Sequence, residues 1–397
     1  MHVVMFGDQH LESLGGAQVS MRLQRRFLER AGHTVTVVAP RRRAGVRAED
    51  AAYVDTPSIP VTLDREYSLT WPGRAADRFV DAAMTSRPPV DVVHVQADFW
   101  GAFLGHRFAR RHGLPVVHTM HNRVDVGIEA VSPAPGLTLR GLNAWQRRAL
   151  PPVEAIPRGA DGWSYLRGLA AAADAVTAPS AHFARRLEEH AVAPRVDVVW
   201  NGIDDDVLDA ALAARAPRLP GSARLVWIGR MSPEKRLLPF LHALAASGVR
   251  AEVEVIGGGG ELRAARRIVE RARPAASVVF AGRLPYARTL ERVARADAVV
   301  QTSVGFETQG MTVFEAASLG TPSVVSDPDI LAELGSGTWD VGDGASVAGL
   351  ADALVRAVRD IEAGEAPLPD PGIGERFRQS SRTRAMVEVY ERAIAPR

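Results

Sequence analysis

Two carboxylates and two cations are the residues whose types and spacing could hold a phosphorylated sugar. In the run Phe306-Glu307-Thr308-Gln309-Gly310-Met311-Thr312-Val313-Phe314-Glu315, seven residues separate Glu307 from Glu315. Glu307 falls in a loop after an apolar run, and Glu315 about a turn into the helical pattern that follows. A carboxylate can accept hydrogen bonds from two sugar hydroxyls at once, and helix-start amides at Gly310 to Thr312 suit a phosphate. Hydroxyl, phosphate and hydroxyl in that order is the outline of a nucleotide sugar. A plain helix start with an acidic loop would account for Glu307 but leaves Glu315 on an otherwise apolar helix unexplained.

A second run, Ile228-Gly229-Arg230-Met231-Ser232-Pro233-Glu234-Lys235-Arg236, ends a strand, turns and opens a helix. An exposed helix terminus is worth about 0.3–1 kcal/mol to an anion, whereas hydrogen bonds to charged groups are worth about 1.5–3 kcal/mol each. Arg230 and Lys235 therefore outweigh the dipole. Lys235 is also the sole lysine among 48 basic residues. A bias towards arginine explains why it is alone, but not why it stands where a compact, three-donor ammonium suits a crowded phosphate. His118 and His121 close a strand-like run and are equal candidates by position, since a strand-end histidine is more often structural. Gly257 to Gly260 falls short of a dinucleotide fingerprint, because Leu262 stands where the third glycine would be, and reads as a close-approach loop toward a nucleotide.

These residues need elements to hold them, and the chain supplies strands alternating with helices. Apolar runs at His2 to Phe6, Val35 to Ala39, Asp91 to Val95, Val116 to Thr119, Ala175 to Thr177 and Val196 to Trp200 are separated by helical patterns such as Gly16 to Ala31 and Gly101 to His112. The alternation restarts at Arg224 to Ile228 and continues through Ala251 to Ile256, Ser277 to Ala281, Ala298 to Thr302 and Pro322 to Ser326. Strand, helix, strand implies parallel sheets, and two successive doubly wound α/β domains with ligands at the carboxyl ends of the strands. A helix is expected near Glu234 to Ala246. Asp204 to Ser222 reads as a linker in which Asp204, Asp205 and Asp206 are solvated charge. Arg123 to Arg167, with five prolines, is too long for an ordinary connection.

Composition bounds the rest. A length of 397 residues suits two or three domains, and the absence of cysteine excludes disulfides, thiolate metal sites and cysteine nucleophiles. The formal charge of +2 is too small to announce a nucleic-acid binder. Residues 1–200 carry 24 basic against 20 acidic side chains and residues 201–397 carry 24 against 26, so the halves are +4 and −2. No apolar run reaches a membrane span and no leader pattern is visible, so the cytoplasm is the expected compartment.

Gly-Arg followed by Glu-Lys at 229–235, then Glu307 and Glu315, resembles the retaining glycosyltransferases of family four. Further agreement comes from Gly15-Gly16, Val92-Val93-His94 with Phe99, Pro115-Val116-Val117-His118-Thr119-Met120-His121, Ala178-Pro179-Ser180, Trp200-Asn201-Gly202-Ile203-Asp204 and Leu319-Gly320-Thr321-Pro322. The resemblance implies the GT-B fold, two Rossmann-like doubly wound domains facing across a cleft. It implies an acceptor-binding domain at 1–203, a donor-binding domain at 204–374 and a C-terminal helix at about 375–397 that packs back on the first.

Roles follow by position. Arg230 and Lys235 are implied to grip the donor diphosphate with amides at Gly16 and after Gly310, alongside Gly257, Gln309, Met311 and Thr312. Glu315 is implied to hold the ribose, Glu307 the transferred sugar, and His121 to stand beside the reacting sugar; Arg283 and Leu284 match positions that frame the base. Domain closure would gate catalysis by His121 and Glu307. His10, Gln96, Asp98 and Asn122 are the acceptor candidates. The departing diphosphate would assist the acceptor proton, with no cofactor and no required metal, and no Asp-x-Asp motif is placed for metal and phosphate.

Glu307-Thr308-Gln309-Gly310 departs from the family's commoner Glu-x-Phe-Gly, and with Pro-Val-Val-His-Thr-Met-His resembles the branch acting on diacylglycerol-type lipids. The expected function is hexose transfer, of mannose or glucose, from a GDP- or UDP-linked sugar to a lipid-linked acceptor, with peripheral association at the anionic inner face of the cell membrane. Arg41, Arg42, Arg43, Arg47, Arg65, Arg74, Arg78 and Trp71 would then form an interfacial surface, or else be solvated charge. Soluble polyol or glycan acceptors, and a nucleotide-sugar epimerase or hydrolase, are the alternatives; no nucleic-acid partner is expected.

Overall fold

The structure, a computed structural model, describes all residues except 14–15, 43–49, 63–64, 66, 151–158, 216–220, 344–345 and 396–397. Its contacts divide the chain into one unit of residues 1–202 with 379–397 and a second of residues 203–378.

In the first unit, β1 (His2–Gly7), β2 (Thr34–Pro40) and β3 (Tyr53–Thr56) are followed by a small antiparallel pair, β4 (Ile59–Pro60) and β5 (Ser68–Leu69). Then come β6 (Val92–Gln96), β7 (Val116–Thr119), β8 (Ala175–Ala178) and β9 (Asp197–Val198). The main sheet runs in the order β3-β2-β1-β6-β7-β8-β9, with every pairing parallel. Helices cover both faces, so the strands read as unbroken apolar runs rather than alternating ones. Val4 and Phe6 of β1 pack one way with Val93, Phe103 and Phe108. Val3 and Met5 pack the other way with Val37, Val117 and with Met386, Val389 and Tyr390 of the helix Gln379–Ile394.

In the second unit, β10 (Ala223–Arg230), β11 (Ala251–Gly258), β12 (Ser277–Gly282), β13 (Ala298–Gln301), β14 (Ser323–Val325) and β15 (Thr338–Asp340) form a parallel sheet ordered β12-β11-β10-β13-β14-β15. Trp227, Phe240, Leu244, Val255 and Leu354 fill its core. In each sheet the strand order reverses once, between β1 and β6 and between β10 and β13. Crevices at such reversals, outside the carboxyl ends of the strands, are where doubly wound sheets bind ligands.

The structure corrects several readings. The first part of the supposed linker is the helix Asp205–Ala213, and Asp204 is no solvated charge but its buried N-cap, accepting from the Asp206 amide at 3.1 Å. Within Arg123 to Arg167 lie the helices Val124–Val131 and Pro135–Ala149 and most of Gly162–Ala170; prolines at a first helical turn do not break a helix. No helix opens at Glu234. A single 3₁₀ turn, Pro233–Lys235, closes on Arg236 in the left-handed region (φ 55°), and the helix Leu237–Ser247 follows. The chain returns to the first unit from Gln379 rather than from about 375, because Phe377 stacks on Phe314 at 5.3 Å and its carbonyl accepts from the Ile203 amide at 2.9 Å.

Candidate functional site

In the second unit the polar residues gather where β10 and β13 end. Lys235 Nζ is bonded to Glu307 Oε1, and the Ser303 hydroxyl donates to the same oxygen at 2.8 Å. Behind them Trp227 Nε1 donates to Thr302 Oγ1 at 2.9 Å, and the Thr302 hydroxyl donates to the Lys235 carbonyl at 2.7 Å. This buried pair ties the 3₁₀ turn to the end of β13 and fixes where the ammonium emerges. Sequence reading gave Lys235 and Glu307 different tasks; the fold makes them partners. Arg230 points to solvent, its side chain 65% exposed, and pairs with Glu234 at 2.7 Å and Ser232 at 3.2 Å.

Glu315 is buried, and Tyr286 donates to its Oε1 at 2.8 Å. Burial raises its pKa to about 7, against the opposing Tyr286 bond. A carboxylate kept in this state is ready to accept two further hydroxyl donors, as a ribose would offer, and those bonds would favour its ionised form. Gly310, at φ 79°, caps the helix Met311–Ser318, placing Met311 and Thr312 half-buried at its start and Gln309 buried before it.

Gly257 has φ 132°, and a Cβ there would lie 1.9 Å from the Gly229 carbonyl oxygen. At Gly259 it would meet the Met231 carbonyl at 2.4 Å. The immediate reason for these glycines is thus the neighbouring backbone of the β10 loop. Arg283 is exposed and lies over Gly258, where a Cβ would come 3.2 Å from its Nε, and Leu284 packs on Val226, Ile256 and Ala296.

The first unit builds a buried polar group where β1, β6 and β7 end. Gln96 Oε1 meets His121 Nε2 at 3.2 Å, and Asp98 Oδ2 accepts from Asn122 Nδ2 at 2.6 Å. Two residues at the end of β6 therefore hold the loop that carries His121 and Asn122. His121 is buried and its pKa is lowered to about 4 by burial, so the ring is neutral at physiological pH. His118 is bonded to the Ala97 carbonyl at 2.9 Å and to His106 at 3.0 Å, and its Nε2 lies 3.9 Å from Asp98 Oδ1 at the fully buried edge of this group.

Asp98 is pushed up to about 7 by burial first and by the nearby Asp8 charge second. Asp8, which no motif signalled, accepts from the amides of Asp98 (2.8 Å), Phe99 (3.1 Å) and Gly101 (2.8 Å) and caps the helix Trp100–His112. Burial still raises its pKa to about 6. Its position one residue past the end of β1 was the available signal.

The remaining sequence candidates stand apart from these groups. His10 stacks on Tyr53 at 4.6 Å and reaches Asp55 at 3.3 Å, both on β3. Gly16 is the exposed first residue of the helix Gly16–Arg30; Gly15 lies outside the described residues, as do Arg43 and Arg47. Trp71 is 66% exposed and stacks on Trp145 at 5.5 Å. Among the described residues, no group of three or more His, Cys, Asp and Glu is arranged to hold a metal ion.

Two parallel-sheet α/β units, each with its polar residues at a strand-order reversal, are the GT-B fold of glycosyltransferases. Residues 14–207 match the family described as Glycosyltransferase Family 4 and residues 222–360 the one described as Glycosyl transferases group 1. The chain belongs to the family four glycosyltransferases.

Among its relatives is the alpha-monoglucosyldiacylglycerol synthase of Streptococcus pneumoniae, 24% identical over 82% of this chain and 70% of the relative. Another is the GDP-mannose-dependent alpha-mannosyltransferase of Mycolicibacterium smegmatis, 26% identical over 82% of this chain and 80% of the relative. The crystal structure of Anabaena Alr3699/HepE in complex with UDP has the same fold, with a TM-score of 0.65 at 14% identity over 99% of this chain and 100% of that one. So does the pneumococcal O-GlcNAc transferase GtfA in complex with UDP and GlcNAc, with a TM-score of 0.63 at 10% identity over 100% and 99%.

Proposed function

We propose that this glycosyltransferase moves a hexose, mannose or glucose, with retention of configuration from a GDP- or UDP-linked sugar to a lipid-linked acceptor at a membrane surface. The observation that carries the reading is the bonded Lys235 and Glu307 beside the capped helix start at Gly310, with the buried Glu315 one turn further on. A diphosphate offers Lys235 more negative charge than one carboxylate does, so donor binding exchanges the ion pair for a phosphate contact and releases Glu307 to the sugar hydroxyls. Glu315 accepts from the ribose, and Arg230, already at the rim, swings onto the phosphates. Gly257, Gln309, Met311 and Thr312 shape the cradle, while Arg283 and Leu284 frame the base.

His121 is assigned to the reacting sugar and Gln96, Asp98 and Asn122 to the acceptor side. The departing diphosphate takes up the acceptor proton on the same face, and cations rather than a metal offset its charge. The lipid acceptor is supported by the name of the pneumococcal relative and by Glu307-Thr308-Gln309-Gly310. No described helix is long and apolar enough to cross a membrane, so contact with the acceptor would be peripheral, through the arginines and the exposed Trp71; each cation near an anionic leaflet adds about 1 kcal/mol.

The test is a donor panel of GDP- and UDP-hexoses by thermal shift, followed by transfer to an extracted lipid mixture and flotation with anionic vesicles. Stabilisation by one donor, a glycolipid product with retained configuration and co-flotation are expected. Absence of vesicle binding at physiological salt, with transfer to a soluble polyol, would move the acceptor to that class.

A further inference from the structure

We propose that Tyr390, on the C-terminal helix Gln379–Ile394, sets the tautomer of His121 through a one-way chain of hydrogen bonds and is thereby a positioning residue for the transferred sugar. The inference rests on reading His121 as the group beside that sugar. Its links are all buried. Tyr390 Oη lies 2.6 Å from His94 Nδ1, and His94 Nε2 lies 2.7 Å from Thr119 Oγ1, which lies 2.6 Å from Thr177 Oγ1. Gln96 Nε2 faces two acceptors, Gln24 Oε1 and, at 3.3 Å, His94 Nδ1, while Gln24 Nε2 donates to Tyr390 Oη at 3.5 Å.

An amide donates only through nitrogen and accepts only through oxygen, so one fixed donor orders the whole set. With the Tyr390 hydroxyl donating to Nδ1, His94 carries its proton on Nε2 and passes it towards Thr119. The unprotonated Nδ1, shared between the Tyr390 hydroxyl at 2.6 Å and the Gln96 amide nitrogen at 3.3 Å, acts with Gln24 Oε1 to hold the nitrogen end of Gln96, which turns Gln96 Oε1 to His121. An acceptor in that place requires a proton on His121 Nε2 and leaves Nδ1 as the acceptor for a sugar hydroxyl. Gln24 Nε2, donating to Tyr390 Oη, leaves the hydroxyl proton for His94 Nδ1 and so sets the polarity, while burial raises the Tyr390 pKa well above its ordinary value and lowers that of His94 to about 3, keeping every link uncharged. Turning every link round would instead put the proton on His121 Nδ1 and offer the sugar a donor.

The experiment is long-range proton–nitrogen NMR of the full chain labelled with ¹⁵N-histidine, together with steady-state kinetics of Tyr390→Phe and Gln96→Glu. In the unmutated protein His121 is expected to show protonated Nε2 and unprotonated Nδ1 signals. In Tyr390→Phe the two tautomers are expected to mix, with kcat falling about tenfold or more and donor KM within about twofold. Gln96→Glu places a carboxylate against His121 and is expected to raise the midpoint of the acid limb of the kcat profile by about a unit or more, a readout that keeps the test alive if Tyr390→Phe folds poorly. A protonated Nδ1 in the unmutated chain, an unchanged tautomer and kcat in Tyr390→Phe, or an unmoved acid limb in Gln96→Glu would overturn the proposal. His121→Ala separates the two levels: wild-type transfer by that variant would remove His121 from the reaction, while the tautomer measurement still decides the chain.

Discussion

Lys235 and Glu307 show what single residues can and cannot tell. Each type was legible as a phosphate or sugar ligand, but their direct bond was not, because 72 positions separate them and only the meeting of β10 and β13 joins them. The bond has a consequence. Glu307→Ala releases the ammonium, so bare nucleoside diphosphate is expected to bind at least as tightly by calorimetry while hexose transfer is lost. Lys235→Ala is expected to weaken the same binding by about tenfold or more, one charge-assisted hydrogen bond being worth about 1.5–3 kcal/mol.

Glu315 adds a pH dependence. Its pKa in the unliganded fold is about 7, and the hydroxyl donors of a ribose favour the carboxylate, so affinity rises with pH and levels off above 7. Nucleotide binding at pH 6 is expected to be about tenfold weaker than at pH 8, and Glu315→Gln is expected to flatten that profile. EDTA is expected to leave the transfer rate unchanged, since Arg230 and Lys235 rather than a metal are assigned the diphosphate charge.

At the scale of elements, glycines mark the places where backbones pass closest. Gly202 is part of a motif that resembles the family, and its physical reason is the returning chain, since a Cβ there would sit 2.7 Å from Gln379 Cα. Gly257 and Gly310 differ in the same terms. In Gly310→Ala the nearest atom is the flexible end of Ile330, so the cost is mostly the positive φ, about 1–2 kcal/mol. Gly257→Ala drives a methyl into the Gly229 carbonyl and must part the ends of β10 and β11, so it is expected to cost above about 3 kcal/mol. Urea denaturation of the two variants measures that order. Strands and most helices were readable because buried parallel strands are unbroken apolar runs and helices repeat every 3.6 residues. The single 3₁₀ turn at Lys235 was not, because Arg236 takes up a left-handed conformation that its side chain does not announce.

For the whole molecule, the chain leaves the first unit at Gly202 and comes back at Gln379. The returning helix buries Met386, Val389 and Tyr390 against Val3, Met5 and Val117. At about 1.5–3 kcal/mol for each large apolar side chain, truncation after Arg378 is expected to weaken the first unit by on the order of 5 kcal/mol. Hydrogen exchange would show protection falling in β1, β6 and β7 while β10 to β13 keep theirs.

The sequence by itself determined the parallel α/β architecture, the family and the residue types of the proposed donor cradle. Each of these rests on local periodicity or on residues within a few positions of one another. The tertiary structure alone decided which groups bond: Lys235 to Glu307, Tyr286 to Glu315, and Tyr390 to His94 beneath His121. It also decided which groups lose water and so change pKa. Such pairs form only when strands, helices and loops distant along the chain pack together, and no spacing along a single chain encodes that adjacency.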